Sequence, residues 1–469
     1  MLINQQETRR RTPCHASDPY LELPIEPEML RKYAAPVPRY TSYPTAAHFT
    51  PEVEHETYGR WLSALPEASR LSLYVHIPFC DTLCWFCGCN TKAIQRYAPV
   101  SKYLPVLHTE IANVAERIGS SHSVTHLHWG GGSPDILNAE DIGALAEHLK
   151  SLFALKPNAE FAVEIDPRGL REDQVEALAR SGVNRVSIGV QDFSEEVQVA
   201  INRLQSYEMT KNAVELFRAH GIKSINFDLI YGLPHQTVQR LDRTIAQALS
   251  LNPDRVAVFG YAHLPSRMKH QRQIPSEALP GLVDRYHSAN LAACRLTEAG
   301  YVRVGFDHFA KASDTLVSGK VHRNFQGYTA DTADALIGFG PSAIGRPIQG
   351  YAQNAVPTAD YTRRIQEHGL ATARGYALTP DDHIRHAVIE RLMCDLVFSK
   401  SELHDRFGEA AAPVIEEAET FITSNEDGLI EATADGFYVT ERGRMFVRTI
   451  CAHFDAHDRP AQTQYSSGA

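Results

Sequence analysis

The sequence predicts an α/β fold, in which a parallel sheet of about six strands curls into a partial, TIM-like barrel. Two observations predict it. Short runs of β-branched and apolar residues recur along the chain, and amphipathic stretches of helical length separate them. The runs cover residues 71–78, 124–131, 160–167, 185–191, 224–232 and 255–262. Strands that alternate with helices are typical of parallel sheets, whose strands carry functional groups at their carboxyl ends.

The segments between these runs have the pattern expected of crossover helices. Residues 111–118 and 174–180 place apolar side chains at i, i+3 and i+4, so that one face of each helix can pack on the sheet. The chemically suggestive groups described below lie at or just after the ends of the runs. That position supports the strand assignment.

The rest of the chain is divided by changes in composition. The segment after residue 36 is dense in Pro and Tyr and is expected to run extended, whereas residues 428–440 resemble a hairpin with an Asp-Gly turn. The predicted segments are a mobile tip (1–35), an extended segment with a helix that packs on the barrel (36–70), the barrel and its substrate-side extension (71–372), a small, mostly helical domain with a wing-like hairpin (373–455) and a mobile tail (456–469).

The composition is that of a globular protein: 469 residues, 43% hydrophobic, 22% charged and a net charge of -10. No segment approaches the apolar run of about 18 residues that a spanning helix needs, so a cytoplasmic protein without a membrane partner is expected. Wing-like domains often bind DNA, but acidic helices argue against phosphate binding and a nucleic-acid partner. The acidic residues are Glu402, Asp405, Glu409, Glu416, Glu417, Glu419 and Glu426.

Four of the eight cysteines crowd between Cys80 and Cys89, and three of them have the spacing Cys-x3-Cys-x2-Cys at Cys80, Cys84 and Cys87. Three thiolates on one loop can bind three irons of a [4Fe-4S] cluster and leave the fourth iron open to an outside ligand. The other cysteines are scattered, which does not suit a disulfide framework. The cysteine spacing therefore predicts a metal site that takes part in chemistry.

Two alternative sites can be weighed from the residues. Zinc could be held by Cys80, Cys84, Cys87 and Cys89 together, but structural zinc usually draws its ligands as two separated Cys-x2-Cys pairs. The glycines at 338–341 could be taken for a dinucleotide fingerprint, but they follow no clear buried strand, and Pro341 stands where the phosphate-binding turn should continue. An iron–sulfur site is favoured over both.

The cysteine motif directly after a first strand resembles the signature of the radical S-adenosylmethionine (SAM) enzymes. The longer segments Tyr74-Val-His-Ile-Pro-Phe-Cys80 and Cys84-Trp-Phe-Cys-Gly-Cys-Asn90 resemble the oxygen-independent coproporphyrinogen III oxidases. The resemblance to that family covers about residues 38–454. The resemblance implies one [4Fe-4S] cluster held by Cys80, Cys84 and Cys87, with SAM on the open iron. It gives Cys89 no ligand role.

The same resemblance implies which residues bind SAM. The first SAM would contact Tyr74, Phe86, Gly131, Glu164, Ala262 and Ile344. A second SAM beside it would contact Gly132, Ser133, Gln191, Arg203 and Asp228. Glu164, Phe325 and Gln326 are the residues expected to act near the reacting groups. Taken singly, several of these residues could equally be capping or surface residues.

The activity implied is a radical oxidative decarboxylation in anaerobic haem biosynthesis. The ring A and B propionates of coproporphyrinogen III become vinyl groups, giving protoporphyrinogen IX, two CO2, two methionine and two 5′-deoxyadenosine. The reaction breaks an unactivated C–H bond, which no side-chain base can deprotonate near neutral pH. An external one-electron reductant of the flavodoxin or ferredoxin type is expected, and the chain is expected to act as a monomer.

A haem-binding chaperone is the alternative within the same superfamily. Such relatives typically follow the third cysteine with an Asp-Phe-Asn type sequence, whereas this chain has Gly88-Cys89-Asn90. The segment 324–329 also resembles a sequence that the oxidases have near the substrate. Both features favour the oxidase.

A tetracarboxylate substrate requires local positive charge in a chain whose net charge is -10. The candidates are Arg39, Arg203, Arg267, Lys269, Arg272, Lys320, His322 and Arg323. They are hypotheses from their positions near strand ends or motifs.

Overall fold

The computed structural model describes residues 25–457, so most of the predicted tip and tail lies outside the described residues. The described part of the chain folds into two compact units. The cysteine unit comprises residues 49–228 and 331–378, and the second unit comprises residues 25–48, 229–330 and 379–457. These units divide the chain differently from the segments predicted by composition.

Several helices begin at a residue whose side chain caps the first turn. Asn138 caps one helix by accepting from the backbone N–H of Asp141 over 2.8 Å, and Thr379 forms a capping box with Asp382. The α-helices are α1 (Pro27–Tyr33), α2 (His55–Ser63), α3 (Ala98–Ile118), α4 (Ala139–Leu152), α5 (Glu172–Arg180), α6 (Glu195–Ala200), α7 (Tyr207–Ala219), α8 (Val238–Ser250), α9 (Leu282–Glu298), α10 (Thr315–Ser318), α11 (Thr358–His368), α12 (Pro380–Asp395), α13 (Lys400–Phe407), α14 (Ala412–Thr423), α15 (Glu441–Arg444) and α16 (Val447–His453).

The strands are β1 (Arg70–Ile77), β2 (Phe79–Cys80), β3 (Lys92–Ala93), β4 (Ser123–Gly131), β5 (Ala154–Ile165), β6 (Arg185–Gln191), β7 (Ser224–Tyr231), β8 (Arg255–Gly260), β9 (Val302–Val304), β10 (His308–Ala310), β11 (His322–Asn324), β12 (Gly327–Thr329), β13 (Ala335–Phe339), β14 (Ile344–Gly345), β15 (Gly350–Asn354), β16 (Thr372–Ala377), β17 (Val397–Ser399), β18 (Ile430–Thr433) and β19 (Gly436–Val439). The six predicted runs correspond to β1, β4, β5, β6, β7 and β8. The predicted alternation of strand and helix is confirmed.

The cysteine unit is built on a parallel sheet with the strand order β13-β1-β4-β5-β6, followed by β7 as far as Asp228. Leu73 of β1 lies opposite Ile337 on one side and Leu127 on the other. All three side chains are buried. Near-continuous burial along a strand is expected when helices cover both faces of a parallel sheet.

Strand β13 corrects one expectation. The glycines at 338–340 were expected to follow no clear buried strand, but Ile337 and Phe339 are buried and β13 pairs in parallel with β1. The run is short, and Asp331 and Asp334 precede it closely. A hydrophobic pattern of this length does not by itself distinguish a strand from a loop.

A buried carboxylate ties α3 to this end of the sheet. Glu110 Oε2 accepts from the backbone N–H of Gly340 and from the hydroxyl of Tyr361, each over 2.7 Å, and Oε1 accepts from Asn354 Nδ2 over 2.6 Å. Burial raises the pKa of Glu110 to about 7. Three donors satisfy a group that would otherwise be costly to bury.

The second unit contains the end of β7 together with β8, which pairs with β10 in an antiparallel arrangement; β10 pairs in the same way with β9. Its largest hydrophobic core includes Phe398, Phe437 and Phe454. The predicted hairpin is present as β18 and β19. Met29 and Leu30 of α1 are buried in the same core, so the predicted mobile tip is corrected at its end, where residues 27–33 form a packed helix.

A helix that spans a membrane must be both long and apolar. None of the helices between residues 25 and 457 is long and apolar enough to cross a bilayer.

Candidate functional site

The loop that follows β1 carries the predicted cluster ligands. Cys80 ends β2, which pairs in parallel with β3 and so closes the base of the loop. Two contacts hold the tip: the backbone N–H of Trp85 donates to Ile201 O over 2.9 Å, and Asn202 Nδ2 donates to Leu83 O over 2.9 Å. The helix–loop segment after β6 therefore supports the cysteine loop.

The outer two ligands have different environments. Cys80 Sγ lies 3.1 Å from Thr91 Oγ1, and burial raises the pKa of the Cys80 thiol to about 12. A bound metal would overcome this, since coordination deprotonates a thiol. Cys87 Sγ accepts from the backbone N–H of Cys89 over 3.4 Å, and hydrogen bonding from the Cys89 thiol lowers the pKa of Cys87. Cys89 itself is exposed.

The middle ligand lies against two guanidinium groups. Cys84 Sγ accepts from Arg168 Nη2 over 3.3 Å and from Arg203 Nη1 over 3.4 Å. Both arginines also pair with Asp166, at 2.5 Å and 3.1 Å respectively. Burial alone would raise the pKa of Asp166, but the charges of Arg203 and Arg168 lower it to about 2. The carboxylate therefore fixes two cations that stabilise negative charge on the sulfur.

This donor set fits a [4Fe-4S] cluster. Cys80, Cys84 and Cys87 are free thiols on one loop, and Cys84 and Cys87 receive N–H donors of the kind that tune cluster potentials. Within the described part of the chain, no three His, Cys, Asp or Glu side chains converge as one zinc ion would require. A four-iron cluster requires a different arrangement, because each thiolate binds a separate iron.

The glycine-rich turn after β4 packs closely on its protein neighbours. An added Cβ would lie 2.5 Å from His76 at Gly131, and 2.4 Å from the backbone carbonyl oxygen of Phe79 at Gly132. The backbone N–H groups of Gly132 and Ser133 donate to β1–β2 carbonyls, each over 2.8 Å. The hydroxyl of Ser133 donates to Asp135. The glycines are thus needed for contact with the cysteine loop, and the turn can offer its carbonyl groups to a ligand.

Glu164 lies near the end of β5, beside the glycine-rich turn, and is half-buried. Its Oε1 pairs with His128 Nε2 over 3.1 Å, and its Oε2 accepts from the backbone N–H of Gly131 over 3.1 Å. Burial would raise the pKa of Glu164, but these hydrogen bonds and the charge of His128 lower it below its usual value. Glu164 is therefore an ionised acceptor suited to an ammonium group.

The ends of β6 and β7 place the residues predicted for a second SAM in one unit. Gln191 is buried and has a φ of 66°, a left-handed conformation that is uncommon for residues other than glycine. Arg203 Nη2 donates to Gly189 O over 2.7 Å, next to Gln191. Asp228 accepts from Ser187 Oγ over 2.9 Å.

Two further predicted SAM contacts frame the start of the cysteine loop. Tyr74 donates its hydroxyl proton to His76 Nδ1 over 3.0 Å, and His76 Nε2 donates to Asn90 O over 2.9 Å. The carbonyl of Asn90 accepts only, so the imidazole carries its proton on Nε2. Phe86 and Ile344 are both half-buried residues of the cysteine unit.

The remaining predicted site residues belong to the second unit. Ala262 follows β8, and its carbonyl accepts from Gln271 Nε2 over 3.2 Å. Phe325 and Gln326 form the turn between β11 and β12, where the backbone N–H of Gln326 donates to Asn324 Oδ1 over 2.9 Å. Both turn side chains are half-buried.

The basic candidates are distributed over both units. Arg203 belongs to the cysteine unit, whereas Arg39, Arg323 and His322 belong to the second unit with Arg267, Lys269, Arg272 and Lys320. Sequence reasoning missed Arg168 as a partner of Cys84, and Asp166 as the carboxylate that pairs with Arg168 and Arg203. Their signal was available, since both follow the end of β5 directly, together with Pro167.

Comparison with known proteins supports this assignment. The family model of the Radical SAM superfamily matches residues 74–248, and that of the HemN C-terminal domain matches residues 378–446. The oxygen-independent coproporphyrinogen III oxidase of Bradyrhizobium diazoefficiens is 46% identical over 434 residues, covering 92% of this chain and 96% of the relative. The protein of the same name from Escherichia coli K12 is 39% identical over 436 residues, covering 92% and 95%.

A solved structure matches the fold. Coproporphyrinogen III oxidase (HemN) from Escherichia coli, described as a radical SAM enzyme, has a TM-score of 0.85 at 39% identity, covering 89% of this chain and 97% of the other. The predicted α/β radical SAM fold is confirmed. By identity and coverage, the chain belongs to the oxygen-independent coproporphyrinogen III oxidase family of the radical SAM superfamily.

Proposed function

We propose that the protein catalyses SAM-dependent oxidative decarboxylation of coproporphyrinogen III to protoporphyrinogen IX in anaerobic haem biosynthesis. The observation that carries this proposal is the loop of three free thiols after β1, in a chain that is 46% identical to a coproporphyrinogen III oxidase over 92% of its length. The haem-binding chaperone is not favoured, because the similar relatives carry the oxidase name along nearly their whole length.

Cys80, Cys84 and Cys87 are the residues that would hold the cluster. Bound together, a reduced [4Fe-4S] cluster and SAM supply hydrogen-atom abstraction from an unactivated carbon. The protein's own tasks are to bind, orient and exclude water. Arg168 and Arg203 stabilise the Cys84 sulfur, and Asp166 keeps both cations in place.

Glu164 is proposed to bind the SAM ammonium group or ribose hydroxyls. Its ionised carboxylate lies at the glycine-rich turn, and two hydrogen bonds fix its orientation. Fixed orientation lowers the entropy cost of binding. Tyr74, Phe86, Gly131, Ala262 and Ile344 are proposed as further contacts of the first SAM.

A second SAM is proposed to bind at the ends of β6 and β7, by Gly132, Ser133, Gln191, Arg203 and Asp228. Polar side chains cluster there, and Gln191 has a strained backbone of the kind found at binding sites. Arg203 already donates to Gly189, Gln205, Asp166 and Cys84. Its main contribution is therefore to position its neighbours rather than to grip a carboxylate with two N–H groups.

Phe325 and Gln326 are proposed to contact the substrate, since they form a half-buried turn whose sequence resembles the one that the family has near its substrate. The electron that starts each turnover is proposed to come from a flavodoxin- or ferredoxin-type reductant. We further propose a cytoplasmic monomer.

The test is anaerobic incubation of the reconstituted protein with SAM, a reductant and coproporphyrinogen III. The proposal predicts vinyl products, CO2 and 5′-deoxyadenosine, with at least one 5′-deoxyadenosine per vinyl group. Stable haem binding without CO2 release would support the chaperone instead. If coproporphyrinogen III does not stimulate SAM cleavage and is not consumed during it, the enzyme acts on a different substrate.

A further inference from the structure

The second unit contains a group of arginines that the sequence indicated only in part. Arg39 and Arg323 were among the basic candidates, and the structure adds Arg285 from α9 and Arg448 from α16. The carboxylate whose charge acts on Arg39, Arg323 and Arg448 is that of Asp307. Positive charge is in excess here, which is unusual in a chain of net charge -10.

Two of these arginines lie at the carboxyl end of β8. Arg39 Nη2 donates to Gly260 O over 3.0 Å, and Arg285 Nη2 donates to Tyr261 O over 2.9 Å. The carbonyls of two consecutive residues thus accept from the two guanidinium groups, whose charges act on each other. Each guanidinium has five N–H donors, so most of them remain available after these bonds. The carboxyl ends of strands are where parallel α/β proteins bind ligands.

The backbone around Arg285 leaves room for it. A Cβ at Gly232 would lie 2.3 Å from Arg285 Nη1, and one at Gly260 would lie 2.9 Å from the hydroxyl oxygen of Tyr231. The guanidinium carbon of Arg285 also lies 5.7 Å from the centre of the Tyr231 ring. Glycine at both positions therefore leaves the space that Arg285 and Tyr231 occupy.

The side chains of the other two arginines, Arg448 and Arg323, are buried. Arg448 donates to the backbone, from Nε to Pro38 O over 3.0 Å and from Nη2 to Val37 O over 2.5 Å. Burial and the charge of Arg39 lower the pKa of Arg448 to about 10. Arg323 Nη1 lies 3.9 Å from Asp307, and its buried Nε and Nη1 have no hydrogen-bond partner.

Such an arrangement is costly without an anion. Desolvation of the guanidinium by its neighbours lowers the pKa of Arg39, although part of the side chain reaches solvent; the charges of Arg323 and Arg285 lower it further, and the charge of Asp307 opposes them. A bound carboxylate would offset this repulsion and accept the available N–H groups. Arg39 is exposed and Arg285 half-buried, so an anion can reach both from solvent.

We infer that Arg39 and Arg285 bind a propionate carboxylate of the porphyrinogen, and that Arg448 and Arg323 support them from the buried side. This inference rests on the proposed function for the identity of the carboxylate. Arg39 and Arg285 are the contact residues. Arg448 is a positioning residue, because it holds the segment that carries Arg39.

The test compares binding of coproporphyrin III, a tetracarboxylate, with binding of its tetramethyl ester to the reconstituted protein. The variants are Arg39→Gln and Arg285→Gln, and Arg31→Gln is the matched control because Arg31 is an exposed arginine of α1 in the same unit. Each of the first two is expected to raise the Kd for the acid by about 10-fold or more, as loss of a charged hydrogen bond predicts. The ester affinity should stay the same.

Three further readouts distinguish a carboxylate site from general damage to the fold or to the SAM site. SAM affinity and the rate of SAM cleavage without porphyrin should be unchanged in all variants, and Arg285→Lys should retain more affinity for the acid than Arg285→Gln. Equal losses for acid and ester, or no loss for the acid, would overturn the inference. Weakened SAM binding alone would assign the site to the SAM carboxylate. If the wild type converts no coproporphyrinogen III, the proposed function fails, whatever the arginine variants show.

Discussion

Arg203 donates from Nη1 to the Sγ of Cys84 over 3.4 Å while pairing with Asp166 over 3.1 Å. One guanidinium thus links a predicted cluster ligand to a half-buried carboxylate. Hydrogen bonds and charge near the sulfurs set the potential of an iron–sulfur cluster, and they fix ligand orientation. The loop of cysteines is therefore part of a larger ionic arrangement at the ends of β5 and β6.

Replacement of Arg203 by Gln should weaken both the fold and the cluster. Removing one cation leaves Asp166 with Arg168 alone, and loss of a charged hydrogen bond is expected to lower the free energy of unfolding by about 1.5–3 kcal/mol. The reduction potential of the reconstituted cluster should shift to a more negative value, because the reduced form loses a stabilising positive charge. Chemical denaturation and a redox titration measure the two effects.

Arg180→Gln is a suitable control, because Arg180 forms an exposed i,i+4 pair with Glu176 at 3.4 Å. It should change stability by less than about 0.5 kcal/mol. An unchanged potential in Arg203→Gln would contradict the role assigned to this hydrogen bond.

Replacement of Glu164 by Gln should weaken SAM binding without unfolding the site. Gln keeps an oxygen that can accept from Gly131 but loses the charge that an ammonium group requires. A charged hydrogen bond contributes about 1.5–3 kcal/mol, so the Kd for SAM should rise about 10- to 100-fold. Equilibrium dialysis with labelled SAM measures this. Unaltered affinity would remove Glu164 from the SAM site.

Stability should fall at acidic pH because of His76. Burial lowers the pKa of His76 below its ordinary value of 6.5, and the neutral ring accepts from Tyr74 while donating to Asn90. The unfolded chain therefore binds a proton more readily than the native one. Stability is fully present above about pH 6.5 and is lost as the pH falls through the lower native pKa.

Denaturation curves between pH 8 and pH 5 measure this slope in the protein before cluster loading. The His76→Gln variant should be less stable at pH 8 and should show a shallower dependence on pH. An identical slope in the variant would assign the acid sensitivity to another group.

Glu110 should be important for stability rather than for chemistry. Its replacement by Ala leaves three buried donors without an acceptor, on Gly340, Tyr361 and Asn354. Each such loss costs about 1–3 kcal/mol, so the total should be about 3 kcal/mol or more. Tyr361→Phe, which removes a single bond, should cost about 1 kcal/mol. Glu110→Ala should be measured by denaturation, and a loss under about 1 kcal/mol would be inconsistent with this network.

Much of this molecule follows from local sequence. The six central strands were predictable because β-branched runs alternate with amphipathic segments. The cluster ligands could be proposed because the three cysteines lie on one loop with a characteristic spacing. The short strand β13 was not predictable, since its burial depends on β1 beside it. A local sequence pattern indicates only the tendency to form a strand. Whether a short apolar run becomes a strand depends on the strands that pair with it in the folded protein.

Partners distant in sequence were the hardest to predict. Arg285 and Arg448 lie on α9 and α16 without any motif, and only folding places them beside Arg39. The family resemblance assigns Gly131 and Gly132 to SAM binding, and in the structure these glycines also accommodate His76 and the cysteine loop. Their spacing alone does not distinguish a ligand from a neighbouring chain segment.

Cys80, Cys84 and Cys87, without Cys89, are predicted to hold a [4Fe-4S] cluster. The most direct test of this prediction is the iron and sulfide content of anaerobically reconstituted wild type and of the four single Cys→Ser variants. Wild type and Cys89→Ser are expected to hold about four iron and four sulfide per chain, and the other three variants are expected to hold much less. Equal loss in Cys89→Ser, or one zinc per chain and no sulfide in the wild type, would contradict this prediction.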